Sequence, residues 1–182
     1  MNVDLSLFEN SYYKPGRSSK RVCWYILSHF FVNTYIPFPA TLKINLLRLF
    51  GAKIGKGTVV KPGINIKYPW FLTIGDNVWL GENVWIDNLA QVSIGSNVCL
   101  SQGCYLLTGN HDYKKISFDL IVKPIVIEAG SWVGAKSIVC PGVVLATNSI
   151  ITAGSVITKS TLSDYIYQGN PAIPVRKRII ES

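Results

Sequence analysis

The sequence has 182 residues, with 18 Lys and Arg against 10 Asp and Glu and a formal net charge of +8. Its 48% hydrophobic and 15% charged content describes one folded domain and excludes a disordered chain, and the lack of a Gly-X-Y period excludes collagen. All the excess charge lies before residue 71, where ten basic residues outnumber Asp4 and Glu9, while residues 71–182 carry eight of each sign.

The stretch from Met1 to Asn10 is polar and already carries Asp4 and Glu9, so no secretory signal is expected. Cys23, Cys99, Cys104 and Cys140 form no CxxC pair and show no metal-ligand spacing with histidine. That predicts free thiols in a reducing cytoplasm and no metal requirement. Residues 18–50 read as helical. An aromatic-rich run begins at Arg21, Pro37 and Pro39 break it, and Thr41 to Phe50 forms a second amphipathic segment that Gly51 stops. The apolar stretch Val22 to Val32 is eleven residues long, against the roughly twenty needed to cross a bilayer. His29 lies in that stretch with no carboxylate beside it and is read as structural. Both helices are expected to cap the solenoid that follows, covering its open strand edge. Their basic, aromatic surface also suits peripheral contact with anionic membrane.

From Ile54 onward every sixth residue is a branched aliphatic. The series runs Ile54, Val60, Ile66; then, after a two-residue insertion, Ile74, Leu80, Ile86; after another, Ile94, Leu100, Leu106; and finally Ile127, Val133, Val139, Leu145, Ile151, Ile157. Small or β-branched residues recur four positions later, as at Thr58, Val78, Cys104, Ser131, Ser137 and Ser149. A period of six fits neither a 3.6-residue helix nor simple strand alternation. It fits a parallel solenoid of short strands stacked about 4.8 Å apart, each coil made of three hexapeptides. Fifteen repeats therefore predict five coils. Asn77, Asn83, Asn97 and Asn148 are placed to form the turns, where a positive φ is needed.

The register lapses between Leu106 and Ile127, and this excursion holds Thr108-Gly109-Asn110-His111-Asp112-Tyr113. A long break in a compact repeat is commonly functional. Histidine is the side chain best poised to take a proton near neutral pH, so His111 is the candidate general base, with Asp112 and Tyr113 beside it as candidate substrate contacts. In the later coils, Gly134-Ala135 and Ala153-Gly154 are small residues at turns, where backbone can approach a ligand. Arg176 follows the final turn and is suited to a phosphate.

Four stretches narrow the reading further: Leu46-Leu47-Arg48-Leu49-Phe50-Gly51-Ala52-Lys53-Ile54-Gly55, Tyr68-Pro69-Trp70, Thr108-Gly109-Asn110-His111-Asp112 and Gly169-Asn170-Pro171-Ala172. Together with the repeat they resemble the hexapeptide-repeat acyltransferases, closest to the colanic acid biosynthesis (exopolysaccharide) O-acetyltransferases. The resemblance implies an all-β chain folded as a left-handed parallel β-helix with an N-terminal helical cap and a short C-terminal tail. The corresponding boundaries are 1–53 for the cap, 54–161 for the β-helix with loop 107–126, and 162–182 for the tail.

It also implies acetyl-CoA as donor, a sugar or glycan hydroxyl as acceptor, a homotrimer with the coenzyme between subunits, and His111 as catalytic base. Asp87 aligns with an acceptor-binding Asn or Asp of relatives, and Asn88 is an equally near candidate. Trp132, Gly134, Ala135, Ala153, Gly154, Thr158, Lys159 and Arg176 are implied on the coenzyme side. Ala135 stands where many relatives have Ser, so a backbone N–H would have to stabilise the oxyanion.

Two histidines cannot supply the three zinc ligands of the β-helical carbonic anhydrases. No GxxxxGK[ST] phosphate loop is present, and no nucleic-acid reader motif accompanies the positive charge. Two alternatives stay open at this point: an acetyltransferase for another small acceptor (serine, a sugar amine or an antibiotic), and a non-catalytic β-solenoid that only binds.

Overall fold

The computed structural model describes residues 2–181. After two helices the chain winds through five coils of three short strands each. The first coil holds β1 (Lys53–Ile54), β2 (Val59–Val60) and β3 (Asn65–Ile66), and the second β4 (Leu72–Ile74), β5 (Trp79–Leu80) and β6 (Trp85–Asp87). The third holds β7 (Val92–Ile94), β8 (Cys99–Leu100) and β9 (Tyr105–Leu107). A hairpin, β10 (Gly109–His111) and β11 (Leu120–Val122), then leaves the solenoid. The fourth coil follows with β12 (Ile125–Ile127), β13 (Trp132–Val133) and β14 (Ile138–Val139), and the fifth with β15 (Val144–Leu145), β16 (Ile150–Ile151) and β17 (Val156–Ile157).

Equivalent strands stack in parallel to make three walls: β1-β4-β7-β12-β15, β2-β5-β8-β13-β16 and β3-β6-β9-β14-β17. The six-residue period is the cause. Each repeat aims its aliphatic residue inward, and fourteen of the fifteen are buried; Ile54, in the end coil, is partly exposed. The small residues four positions on are buried too. There Ser131 donates to the Ala146 carbonyl at 3.0 Å and Ser137 to that of Thr152 at 2.8 Å, which satisfies hydroxyls that would otherwise be costly to bury. Asn77, Asn83, Asn97 and Asn148 occupy the turns with φ between 56° and 59°, the left-handed region that asparagine tolerates well.

The helices α1 (Ser18–Phe31) and α2 (Ala40–Leu49) cap the first coil, as expected. Trp24 of α1 is buried, donates its indole N–H to the Ile66 carbonyl at 2.9 Å, and packs on Phe50. Ile44 and Leu47 of α2 add to the same core. Gly51 ends α2 at φ +104°, donating to Arg48, while Ala52 donates to Leu47. Not all of the N-terminal charge is on the surface: Lys43 is buried in α2, and burial pushes its amine below the ordinary lysine range.

The structure adds detail in three places. Ahead of the two helices, Asp4, Glu9 and Tyr12 bond to the hairpin. The excursion has secondary structure of its own, since β10 and β11 pair antiparallel. Residues 162–181 are no loose tail: β18 (Tyr165–Gly169) extends the second wall in parallel, and β19 (Ala172–Lys177) turns back along it across Gly169-Asn170-Pro171. These added strands cover an edge that the last coil would leave open.

Candidate functional site

His111 ends β10, and its ring is held from three directions. Nδ1 lies 2.9 Å from the Phe118 carbonyl oxygen, the Phe118 ring stacks on it at 4.4 Å with planes 6° apart, and the Phe8 ring tilts against it at 5.8 Å. A carbonyl oxygen only accepts, so Nδ1 must carry the proton and Nε2 keeps its lone pair. That is the tautomer of a base. Phe118 reaches this position with φ +50°, a left-handed backbone that costs a non-glycine residue about 1–2 kcal/mol.

The hairpin is anchored at its neck. Thr108 is buried; its amide and its hydroxyl, at 2.8 Å, both donate to the Asp87 carbonyl, and the hydroxyl accepts from Ala90 N–H. Lys123 N–H closes the neck on the Thr108 carbonyl at 2.9 Å. Gly109 packs closely on Leu89, whose Cδ1 would have to move aside for a Cβ at 2.6 Å.

Asp87 ends β6 directly beneath that neck. Its Oδ1 pairs with Lys67 Nζ at 2.9 Å, and its Oδ2 accepts from the Tyr105 hydroxyl at 3.3 Å. Burial beside this carboxylate pushes the Tyr105 phenol up to about 12. Asp87 shares no hydrogen bond with His111, so the group that orients the His111 ring is the Phe118 carbonyl. Asn88 leaves the candidate set. It is buried, with Oδ1 accepting from Tyr68 N–H at 2.9 Å and Nδ2 donating to the Tyr68 carbonyl at 2.6 Å. Both its polar ends are spent on holding a turn. Asp112 likewise serves its own turn, accepting from Lys114 N–H at 3.2 Å, whereas Tyr113 is exposed at the hairpin tip.

The later-coil residues fall on two corners. Trp132 stands on the outer face of the second wall, exposed, with its indole N–H donating to Ser101 Oγ at 2.8 Å. Gly134, Ala135, Ala153 and Gly154 form the corner that follows that wall in successive coils. Gly134 is a glycine for coil stacking rather than ligand access, since a Cβ there would meet Ala153 N at 2.5 Å. Gly154 instead opens onto free space at φ +71°. Among the described residues, the amides of Ala135 and Ala153 have no backbone hydrogen-bond partner. Thr158 and Lys159 are exposed at the next corner, beyond the third wall, on the same corner as Asp87 and the hairpin neck. Arg176 is exposed on β19, while its neighbour Arg178 ties the C-terminal strand to the Gly130 carbonyl at 2.7 Å and the Asn148 carbonyl at 3.1 Å.

The family model for the bacterial transferase hexapeptide (six repeats) matches residues 124–159, and that for the hexapeptide repeat of succinyl-transferase matches residues 72–108. The putative colanic acid biosynthesis acetyltransferase WcaF of Escherichia coli (strain K12) is 41% identical over 134 residues, 74% of either chain. The chain belongs to the hexapeptide-repeat acyltransferases. It is an enzyme, an acyltransferase, and its solenoid is the left-handed parallel β-helix. The galactoside O-acetyltransferase of the same E. coli strain is 28% identical over 166 residues, covering 89% of this chain and 81% of that one. A Vibrio cholerae hexapeptide-repeat acetyltransferase, solved with acetyl coenzyme A, superposes with a TM-score of 0.80 at 25% identity over 89% of this chain and 88% of its own.

One part of this acyltransferase's site escaped the sequence reading. Residues 2–13 form a strap across the β10–β11 hairpin: Asp4 N–H donates to the Ile116 carbonyl at 2.9 Å, Glu9 N–H to Asp119 Oδ1 at 3.3 Å, and the Tyr12 hydroxyl to the Leu120 carbonyl. Tyr13 then anchors the strap to the solenoid, donating to the Leu89 carbonyl at 2.8 Å, and its burial raises the phenol's pKa. Phe8 brings the strap against the His111 ring itself. The sequence signal is the aromatic spacing Phe8, Tyr12, Tyr13 in a segment that mixes Val3, Leu5 and Leu7 with polar residues.

Proposed function

We propose that this acyltransferase moves an acetyl group from acetyl-CoA to a sugar hydroxyl in exopolysaccharide biosynthesis, with His111 as general base. The observation that carries the reading is the bond from His111 Nδ1 to the Phe118 carbonyl, which leaves Nε2 as the proton acceptor. A sugar hydroxyl is a weak nucleophile until its proton is taken. Nε2 removes that proton as the oxygen attacks the thioester carbonyl, and a backbone N–H, that of Ala135 or Ala153, holds the negative charge that develops on the carbonyl oxygen. Collapse breaks the carbon–sulfur bond, and the protonated His111 returns its proton to the departing thiolate. The likeness to the WcaF protein supports a polysaccharide acceptor.

Trp132, Ala135, Ala153, Gly154, Thr158, Lys159 and Arg176 are assigned to acetyl-CoA, with Asp87 and Tyr113 on the acceptor side. Thr158 and Lys159 stand a full wall away from Ala135 and Ala153, so a single groove gathers both sets when two copies contribute opposite corners. The outer rows of the second and third walls favour such pairing, because Val59, Trp79, Cys99, Trp132 and Ile150 line one, and Tyr105, Ile138 and Val156 the other. A homotrimer with three coenzyme grooves is the resulting assembly. We place it in the cytoplasm, with the N-terminal segment resting on anionic membrane where lipid-carried sugars are found.

The test is a donor–acceptor panel read by CoA release, comparing wild type with His111→Ala. A sugar hydroxyl should be the preferred acceptor, and the variant should lose about 10²–10⁴-fold in kcat. Preference for serine, a sugar amine or an antibiotic would overturn the acceptor assignment. Undiminished transfer by His111→Ala would overturn the base.

A further inference from the structure

We propose that the cleft between α1 and the third wall binds an acidic sugar unit, with the anionic oxygen held by Arg21 and a hydroxyl by Asp87. The proposal rests on the sugar-acceptor reading and specifies the class of sugar. The cleft encloses about 520 Å³, within the roughly 300–1,000 Å³ typical of small-molecule sites, and is lined by Arg21, Tyr25, Lys67, Tyr68, Trp85 and Asp87 among others.

Among the described residues, just two buried side-chain polar atoms lack a hydrogen-bond partner: Arg21 Nε and Asp87 Oδ1. Both belong to residues that line this one cleft. Native proteins leave few such atoms, and each calls for an explanation such as a bound group. The two are complementary in kind. Arg21 Nε is a cationic donor with its Nη2 already committed to Ser18 Oγ at 2.9 Å, so it needs an acceptor, and an anionic one binds best. Asp87 Oδ1 meets no hydrogen-bond geometry but is ion-paired with Lys67 at 2.9 Å, so its remaining lone pair can accept from a donor such as a hydroxyl.

Charge decides between neutral and acidic sugars. Lys67 and Asp87 cancel as a pair, which leaves the Arg21 guanidinium as the uncompensated charge of the cleft. The walls suit a pyranose: Trp85 is 46% and Tyr25 75% exposed, so both keep ring surface free for the C–H face of a sugar. Asp87 also forms the anchor of the His111 hairpin through its carbonyl, so a sugar on its carboxylate lies next to the element that carries the base.

The anionic oxygen has two sources, a uronate carboxylate or a sugar phosphate. Equilibrium binding of a methyl hexoside, the matching methyl uronide and a hexose 1-phosphate, measured by ligand-observed NMR without donor, distinguishes them. Wild type should bind at least one acidic probe about tenfold more tightly than the hexoside, the size expected of a hydrogen bond to a charged group. Arg21→Gln should bring that ratio to about one, whereas Lys56→Gln, an exposed lysine outside the cleft, should leave it unchanged. Equal binding of all three probes by wild type, or a preference that survives Arg21→Gln, overturns the proposal. A loss of sugar acetylation in the activity panel with this binding preference intact would instead count against the O-acetyltransferase reading alone.

Discussion

His111 takes its chemistry from a main-chain atom. A carboxylate neighbour would stabilise the imidazolium and could itself titrate, whereas the Phe118 carbonyl accepts a proton bond at every pH and fixes one tautomer. The left-handed turn at Phe118 is the local cost of that arrangement. The sequence directs attention to His111 because histidine is rare here and interrupts a strict repeat. It does not reveal the orienting group, since a backbone carbonyl has no side-chain signature. Asn88 shows a related limit: nothing in the sequence reveals that its amide is already spent on Tyr68. Cysteine chemistry offers a separate check at this scale. Burial pushes the Cys104 thiol up to about 12, so near pH 8 it stays protonated and inert, whereas Cys23 is exposed. Iodoacetamide at pH 8 should label Cys23 in the native protein and reach Cys104 only after unfolding; early labelling of Cys104 by peptide mapping would contradict this core.

At the scale of elements, the solenoid was readable and the hairpin and strap were not. A period of six repeated through five coils is a long-range signal carried by every residue at one position, and the buried aliphatics and left-handed asparagines follow it closely. The docking of residues 2–13 on the β10–β11 hairpin depends instead on single contacts between segments about a hundred residues apart, as from Tyr12 to Leu120. No periodicity reports such a contact. Gly134 shows the same limit, because glycine reads alike whether it admits a ligand or the next coil. The strap makes Phe8 a positioning residue. Phe8→Ala should lower kcat about tenfold with the KM for acetyl-CoA little changed, and Phe8→Tyr should restore most of it, while the melting temperature stays within a few degrees. Equal loss in both variants, or a large fall in melting temperature, would point to a merely structural strap.

For the whole molecule, the +8 charge resolves into distinct uses. Lys43 is buried, while Lys20 lies 4.5 Å over the Trp70 ring and Arg21 lines the cleft, so these three already have roles within the fold. Lys14, Arg17, Lys53, Lys56 and Lys61 are exposed, and α1 shows Val22, Tyr25, Ile26 and Phe30 to solvent. No helix among the described residues is long and apolar enough to cross a membrane. Peripheral attachment should therefore depend on the exposed set. Converting Lys14, Arg17, Lys53, Lys56 and Lys61 to Gln should abolish co-sedimentation with anionic vesicles, and unchanged co-sedimentation would refute the membrane role.

Assembly and catalysis meet in one observation, the position of bound coenzyme. The deciding measurement is a crystal structure with CoA. The account predicts the coenzyme in a groove between two copies, along Trp132 and the Ala135 and Ala153 corner of one and Thr158 and Lys159 of the other, with its sulfur within about 4 Å of His111 Nε2. A CoA thiol lodged away from His111, or a coenzyme bound wholly within one chain, would contradict it.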